Sequence, residues 1–217
     1  LADGRLVVPA ALHRNRLPAA KAKDHVYAAF DSRGIAMFYL SDDNGRSWRE
    51  SEDRWAAPRR CASGLQEPGV VELDDGRLWA WCRTDLGCQY QMFSRNGGDR
   101  WTIPAKSPFI SPRSPLSMKR IPKTGDLLAV WNDHSGRLPT PEKTAAQSSW
   151  GRTPLVAAIS KDEGQTWQHR KVLEDDPTRG FCYIAIHFTD DAALLAYCCG
   201  GGKHGGVLQD TCIRRVD

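Results

Sequence analysis

No stretch of this 217-residue chain is long and apolar enough to cross a membrane as a helix. Leu1 opens no signal peptide, which leaves the compartment open. No segment carries an apolar stripe at helical spacing over a useful length, so a helical or α/β architecture is not expected. The seven cysteines (61, 82, 88, 182, 198, 199 and 212) show no Cys-x-x-Cys zinc spacing, and an odd number cannot all pair. Free buried thiols are the expectation, with no metal and no cofactor. Neither Gly-x-Ser-x-Gly nor His-Glu-x-x-His occurs, which removes two familiar hydrolase designs. A net charge of +4 is too small to argue for a nucleic-acid partner, although it does not disfavour an anionic ligand. The glycine-rich run Gly200–Gly206 has His204 where a phosphate loop needs Ser or Thr after its lysine, and it opens no helix. It reads as a flexible connection between strands.

What is present is a repeat. Ser41-Asp42-Asp43-Asn44-Gly45-Arg46-Ser47-Trp48, Ser94-Arg95-Asn96-Gly97-Gly98-Asp99-Arg100-Trp101 and Ser160-Lys161-Asp162-Glu163-Gly164-Gln165-Thr166-Trp167 all fit Ser-x-(Asp/Asn)-x-Gly-x-x-Trp. The Asp or Asn side chain can accept backbone N–H bonds inside a tight turn, and glycine supplies a positive φ at little cost. The tryptophan then offers a large apolar surface, so Trp48, Trp101 and Trp167 are expected in the core. The copies begin 53 and 66 residues apart, the length of one supersecondary unit.

A second signal interleaves with the first. Polar turns such as Leu73-Asp74-Asp75-Gly76-Arg77 are followed by short aromatic-rich runs, Leu78-Trp79-Ala80-Trp81-Cys82 and Leu127-Leu128-Ala129-Val130-Trp131 among them. Asp-Gly between apolar stretches signals a hairpin. Each unit therefore reads as four antiparallel strands, and such units repeating at this period imply an all-β β-propeller. The expectation is one domain over 1–217 covering about four blades. The first opens at its Asp-Gly turn, and the last holds strands at Phe181–Phe188, Ala193–Cys198 and Val207–Val216 and then stops.

Strand order also places chemistry. The start of strand 1, the end of strand 2 and the start of strand 3 share one rim, opposite the box turns. If Leu73 pairs with Arg77, constant-sum pairing brings Glu67 opposite Arg83. Arg152 precedes strand 3 of the third unit, and Phe181 and Tyr183 open strand 1 of the fourth, two residues apart and hence on one face of a regular strand.

The box turns, the run from Gln66-Glu67-Pro68-Gly69 through Leu73-Asp74-Asp75-Gly76-Arg77 to Arg83, and Arg152 ahead of the third box resemble bacterial sialidases and their BNR-repeat relatives. The likeness covers essentially the whole chain. It implies a six-bladed propeller that removes a terminal carboxylate-bearing sugar from a glycan. In that family three arginines clamp the sugar carboxylate, a Glu activates a Tyr nucleophile, and an Asp is the acid/base. By similarity Glu67 matches the Glu, and Arg83 and Arg152 match the second and third arginines. The first arginine and the Asp match no residue of this chain. Phe181 falls at the tyrosine position, leaving Tyr183 as the nucleophile candidate. A non-catalytic propeller that binds glycan or protein is the alternative, and the oligomeric state stays open.

Overall fold

A computed structural model describes residues 1–14, 33–138 and 148–217. The chain is all-β, arranged as four propeller blades. It divides into two compact units, Leu1–Asp85 with Tyr90–Lys106, and Leu86–Gln89 with Ser107–Asp217.

In the first unit β1 (Leu6–Leu12) pairs antiparallel with β2 (Ile35–Ser41), which also pairs with two short segments, β3 (Arg49–Glu50) and β4 (Trp55–Ala56). The second blade has the order β5 (Gln66–Glu72), β6 (Leu78–Arg83), β7 (Cys88–Ser94) and β8 (Ala105–Ile110). In the second unit β9 (Ser117–Arg120), β10 (Leu127–Asn132), β11 (Leu155–Ser160) and β12 (Gln168–Glu174) form the third blade. The fourth comprises β13 (Cys182–Phe188), β14 (Ala193–Cys198) and β15 (Thr211–Val216). The last strand begins later than the sequence suggested. Val207–Asp210 instead forms a turn closed by Gln209 N–H donating to the Gly206 carbonyl.

The second strand of a blade is the one most completely covered. All six residues of β6 and all six of β10 are buried, which explains why Leu78–Cys82 and Leu127–Trp131 are continuous apolar runs rather than alternating ones. Burying each large side chain in such a run contributes roughly 1.5–3 kcal/mol. In the second unit the core gathers Leu128, Val130, Leu155, Phe181, Ile184, Ile186, Leu195 and Tyr197.

The three box turns repeat one hydrogen-bond solution. Gly45 N–H donates to Ser41 Oγ at 2.8 Å, and Asp43 Oδ1 accepts from the Ser41 hydroxyl and from Ser47 N–H at 2.8 Å each. Ser160 and Asp162 do the same for Gly164 and Thr166. In the second box Asn96 replaces the carboxylate, accepting from Ser94 Oγ and Arg100 N–H at 2.9 Å. An amide oxygen has enough lone pairs for both, so Asp and Asn are interchangeable there.

The box tryptophans are not equally buried. Trp101 is buried and stacks on Phe38 with ring centroids 4.0 Å apart, and Trp167 is half-buried at 5.1 Å from Phe109. Trp48 is 44% exposed, contrary to expectation. No aromatic ring stacks on it among the described residues, and its indole N–H caps its own turn at the Gly45 carbonyl. The cysteine expectation is corrected too. Cys199 and Cys212 form a disulfide that closes the glycine-rich connection, and Cys61, Cys82, Cys88, Cys182 and Cys198 are free.

Asp43 generates a prediction in acid. The hydroxyl and backbone N–H of Ser47, then the Ser41 hydroxyl, push its carboxyl down to about 2. A depressed carboxyl stabilises the fold above the unfolded pKa near 4, and that contribution disappears as pH falls through about 2. Asp43→Asn, which copies the second box, should fold at neutral pH. It should also flatten the part of the acid-unfolding curve between about pH 4 and about 2, followed by tryptophan fluorescence. An unchanged curve would show that this turn does not couple to acid stability.

Candidate functional site

The two predicted residues of the first unit meet directly. Arg83 Nη1 donates to both Glu67 carboxylate oxygens at 2.7 Å, and its Nη2 donates to Gln66 Oε1 at 2.7 Å. Arg83 and Gln66 are buried, while Glu67 is partly exposed. The route to this pairing differs from the constant-sum expectation. Leu73 N–H does bond the Arg77 carbonyl, and the register runs true from Glu72↔Leu78 to Gly69↔Trp81. Beyond that, Glu67 and Pro68 face Cys82 alone, so the backbone partner of Arg83 is Gln66. Glu67 sits in this bulge with φ 48°, a left-handed conformation that costs a non-glycine residue roughly 1–2 kcal/mol.

Two neighbours fix the bulge. Gly69 lies under the Trp81 indole, where an added Cβ would come within 2.2 Å of Trp81 Cζ2. Asp85, just past β6, accepts from the Cys61 thiol at 3.0 Å and from the backbone N–H groups of Ala62 and Ser63. Burial alone would raise the Asp85 carboxyl. The Cys61 thiol and these N–H groups outweigh it and hold the group below its ordinary range. The loop entering β5 is thereby pinned to the end of β6.

In the second unit β13 carries the same irregularity. Cys182 pairs with Cys198 and Ala185 with Ala196, so Tyr183 and Ile184 face Tyr197 alone. Tyr183 has φ 58° and occupies in its blade the place that Glu67 occupies in its own. The bulge corrects the expectation that Phe181 and Tyr183 share a face. Phe181 is 1% exposed and joins Ile184 and Ile186 in the core, whereas Tyr183 is 42% exposed. Inserting one residue into the alternation turned Tyr183 out and Phe181 in.

Arg152 belongs with Tyr183. Its guanidinium carbon lies 5.4 Å from the Tyr183 ring centroid and 5.1 Å from that of Trp150, within cation–π range of both. It is 6% exposed, Nη1 donates to Cys182 Sγ at 2.9 Å, and Nε has no hydrogen-bond partner among the described residues. Among those residues no carboxylate pairs with it. Asn132, fully buried at the end of β10, ties the surroundings together by donating to the carbonyls of Pro154 at 3.3 Å and Phe181 at 3.1 Å. Phe181 N–H in turn donates to the Arg152 carbonyl at 2.8 Å. Trp150, Cys182, Asn132 and Asp85 were not singled out from the sequence. They are scattered in it and acquire meaning only through these contacts.

Chemically, the first unit holds a carboxylate against a buried arginine. The second holds a buried cation beside an exposed phenol. No group of residues suited to a metal ion occurs among the described residues.

Comparison with known proteins agrees with this architecture. The BNR repeat-like domain matches residues 1–195. A Dyadobacter fermentans protein of unknown function superposes with TM-score 0.63 at 19% identity, covering 97% of this chain and 49% of its own. The leech intramolecular trans-sialidase gives 0.63 at 16%, covering 98% and 29%. The Trypanosoma rangeli sialidase in complex with the inhibitor DANA gives 0.64 at 16%, covering 92% and 28%. This chain thus spans half or less of the length of each. No curated protein matches it.

The Gly69 contact yields a stability prediction. Gly69→Ala forces the Trp81 ring to move in a fully buried strand, and overpacking of this kind costs about 1–3 kcal/mol. Urea unfolding should show that loss, and a stability equal to wild type would mean that the indole shifts freely.

Proposed function

Since the chain belongs to the BNR repeat-like domain family and has the fold of a sialidase-type propeller, we propose that it acts as an exo-sialidase-like glycoside hydrolase, removing a terminal carboxylate-bearing sugar from glycans. The observation that carries this reading is Arg152, a buried guanidinium without a carboxylate partner among the described residues, set beside the exposed ring of Tyr183. Burying a cation is costly unless a counter-charge arrives, and a ligand carboxylate supplies one. The planar fork of arginine suits that group, each charge-assisted bond contributing about 1.5–3 kcal/mol.

By the family resemblance Arg152 and Arg83 are the proposed carboxylate contacts. Tyr183 is the proposed nucleophile. Most glycosidases use a carboxylate there, but an anionic sugar repels one and accepts a neutral phenol. By the family resemblance Glu67 matches the base that takes a phenolic proton, which unaided leaves only near pH 10. Departure of the leaving group needs an acid that no residue of this chain is assigned to supply. The left-handed backbone at Glu67 and at Tyr183 supports both roles, because strained residues of this kind gather at functional sites. A purely glycan-binding propeller is the second reading. The burial of Phe181, which has no hydroxyl and matches the family's tyrosine position, favours it.

The two readings separate by mutation. Hydrolysis predicts that Tyr183→Phe abolishes turnover of a fluorogenic sialoside while leaving its binding nearly intact. It also predicts that Glu67→Gln lowers the rate by on the order of 10²–10⁴. Arg152→Ala should weaken binding of sialyllactose by roughly 10–100-fold on either reading. A wild-type protein that binds sialyllactose without turnover would establish the binding module. Unchanged binding in Arg152→Ala would remove the anion clamp from both.

A further inference from the structure

Resting on the assignment of Arg152 as an anion contact, we infer that Cys182 is its positioning residue, an uncharged acceptor that aims the guanidinium without neutralising it. Three other arginines of this chain are oriented by carboxylates. Arg83 is held by Glu67, Arg5 by Asp42 at 2.5 Å, and Arg120 by Glu163 through two bonds of 2.8 Å. Each of those charges is satisfied internally. Arg152 differs from these three, with two aromatic rings, one thiol and no acid among the described residues.

The Cys182 side chain is fully buried, so it presents itself to Arg152 and not to solvent. Its backbone is held by pairing with Cys198 on one side of the bulge, and Tyr183 follows immediately. One residue pair therefore sets both groups: position 182 directs the guanidinium, and position 183 places a ring against it. A thiol is a weak acceptor, strong enough to select an orientation and too weak to compete with a ligand carboxylate. A carboxylate at the same place would bind Arg152 as Glu67 binds Arg83 and leave less charge for a ligand.

The test compares four variants by titration with sialyllactose, with Arg152→Ala as reference. Cys182→Asp and Cys182→Asn are nearly isosteric and differ in charge, so a merely structural role moves both alike. The inference requires Cys182→Asp to lose at least tenfold in affinity and Cys182→Asn to stay within about threefold of wild type. Cys182→Ser should keep affinity within about threefold, because a hydroxyl also accepts from Nη1, whereas Cys182→Ala should lose about three- to tenfold. Equal loss in Cys182→Asp and Cys182→Asn overturns the inference. So does wild-type affinity in Cys182→Asp when Arg152→Ala binds poorly. If Cys182→Asp does not fold, Ser and Ala variants of equal affinity overturn it on their own. Wild-type affinity in Arg152→Ala is a different result, since it overturns the anion-contact assignment and with it the premise.

Discussion

Two residues set against one across the first strand pair of a blade is the constraint from which the candidate site follows. A regular strand alternates its faces, so a side chain near its end either joins the core or leaves it. The bulges at Glu67–Pro68 and Tyr183–Ile184 break that rule at one position in each of two blades. They present a polar group at the strand entrance while the next residues resume core packing. Both require a left-handed residue, and neither uses glycine to relieve the cost. Backbone strain borne by a glutamate and a tyrosine is compensated by the packing around it: Trp81 over Gly69 in one blade, the Phe181–Ile184–Ile186 core in the other.

The box turns do the opposite work. They spend Ser, Asp or Asn, and Gly on satisfying a hairpin internally, with the carboxylate or amide directed at backbone N–H groups of its own turn. Further ion pairs extend this in the first unit, where Arg5 reaches both Asp42 and Asp99. Pairs of this kind at or near the surface contribute about 1 kcal/mol or less each. Their value lies in register: a hairpin closed without strain fixes where β2, β7 and β11 end. Scaffold and candidate site thus use polar groups differently, in one place bonded within their own turn, in the other around a guanidinium that no carboxylate pairs with among the described residues.

This division explains what could be read from the sequence. The blades were legible because periodicity, Asp-Gly turns and boxes are local and repeated, so each copy corroborates the others. Glu67 beside Arg83 was legible for a related reason: one tight turn at Leu73–Arg77 transmits register along a short hairpin. The one-residue slip to Gln66 was not, since no composition signal marks a bulge whose strained residue is not glycine. Tyr183 was misplaced onto the face of Phe181 for that same reason. The Cys199–Cys212 disulfide was hidden among seven similar residues, because its geometry depends on how β14 and β15 pair. Trp48 was misjudged because a box tryptophan is buried by an aromatic from elsewhere in the chain, as Phe38 covers Trp101, and not by its own turn.

The contrast between Arg83 and Arg152 carries the argument furthest. Both are buried, Arg83 at the end of β6 and Arg152 in the connection that leads into β11, so residue type and burial alone do not tell them apart. Their partners do. Arg83 has a carboxylate on one nitrogen and an amide on the other, an arrangement whose charge is balanced before any ligand arrives. Arg152 has a thiol and two ring faces, which orient a guanidinium but do not neutralise it. A buried ion pair loses more from removal of one partner than it gains from being built, so Arg83 and Glu67 are mutually dependent. A buried cation with no acid against it among the described residues has the reverse tendency, since an arriving anion offsets the cost of its burial. Among the described residues, the feature that separates Arg152 from the Arg83 ion pair is that no acid lies against its guanidinium.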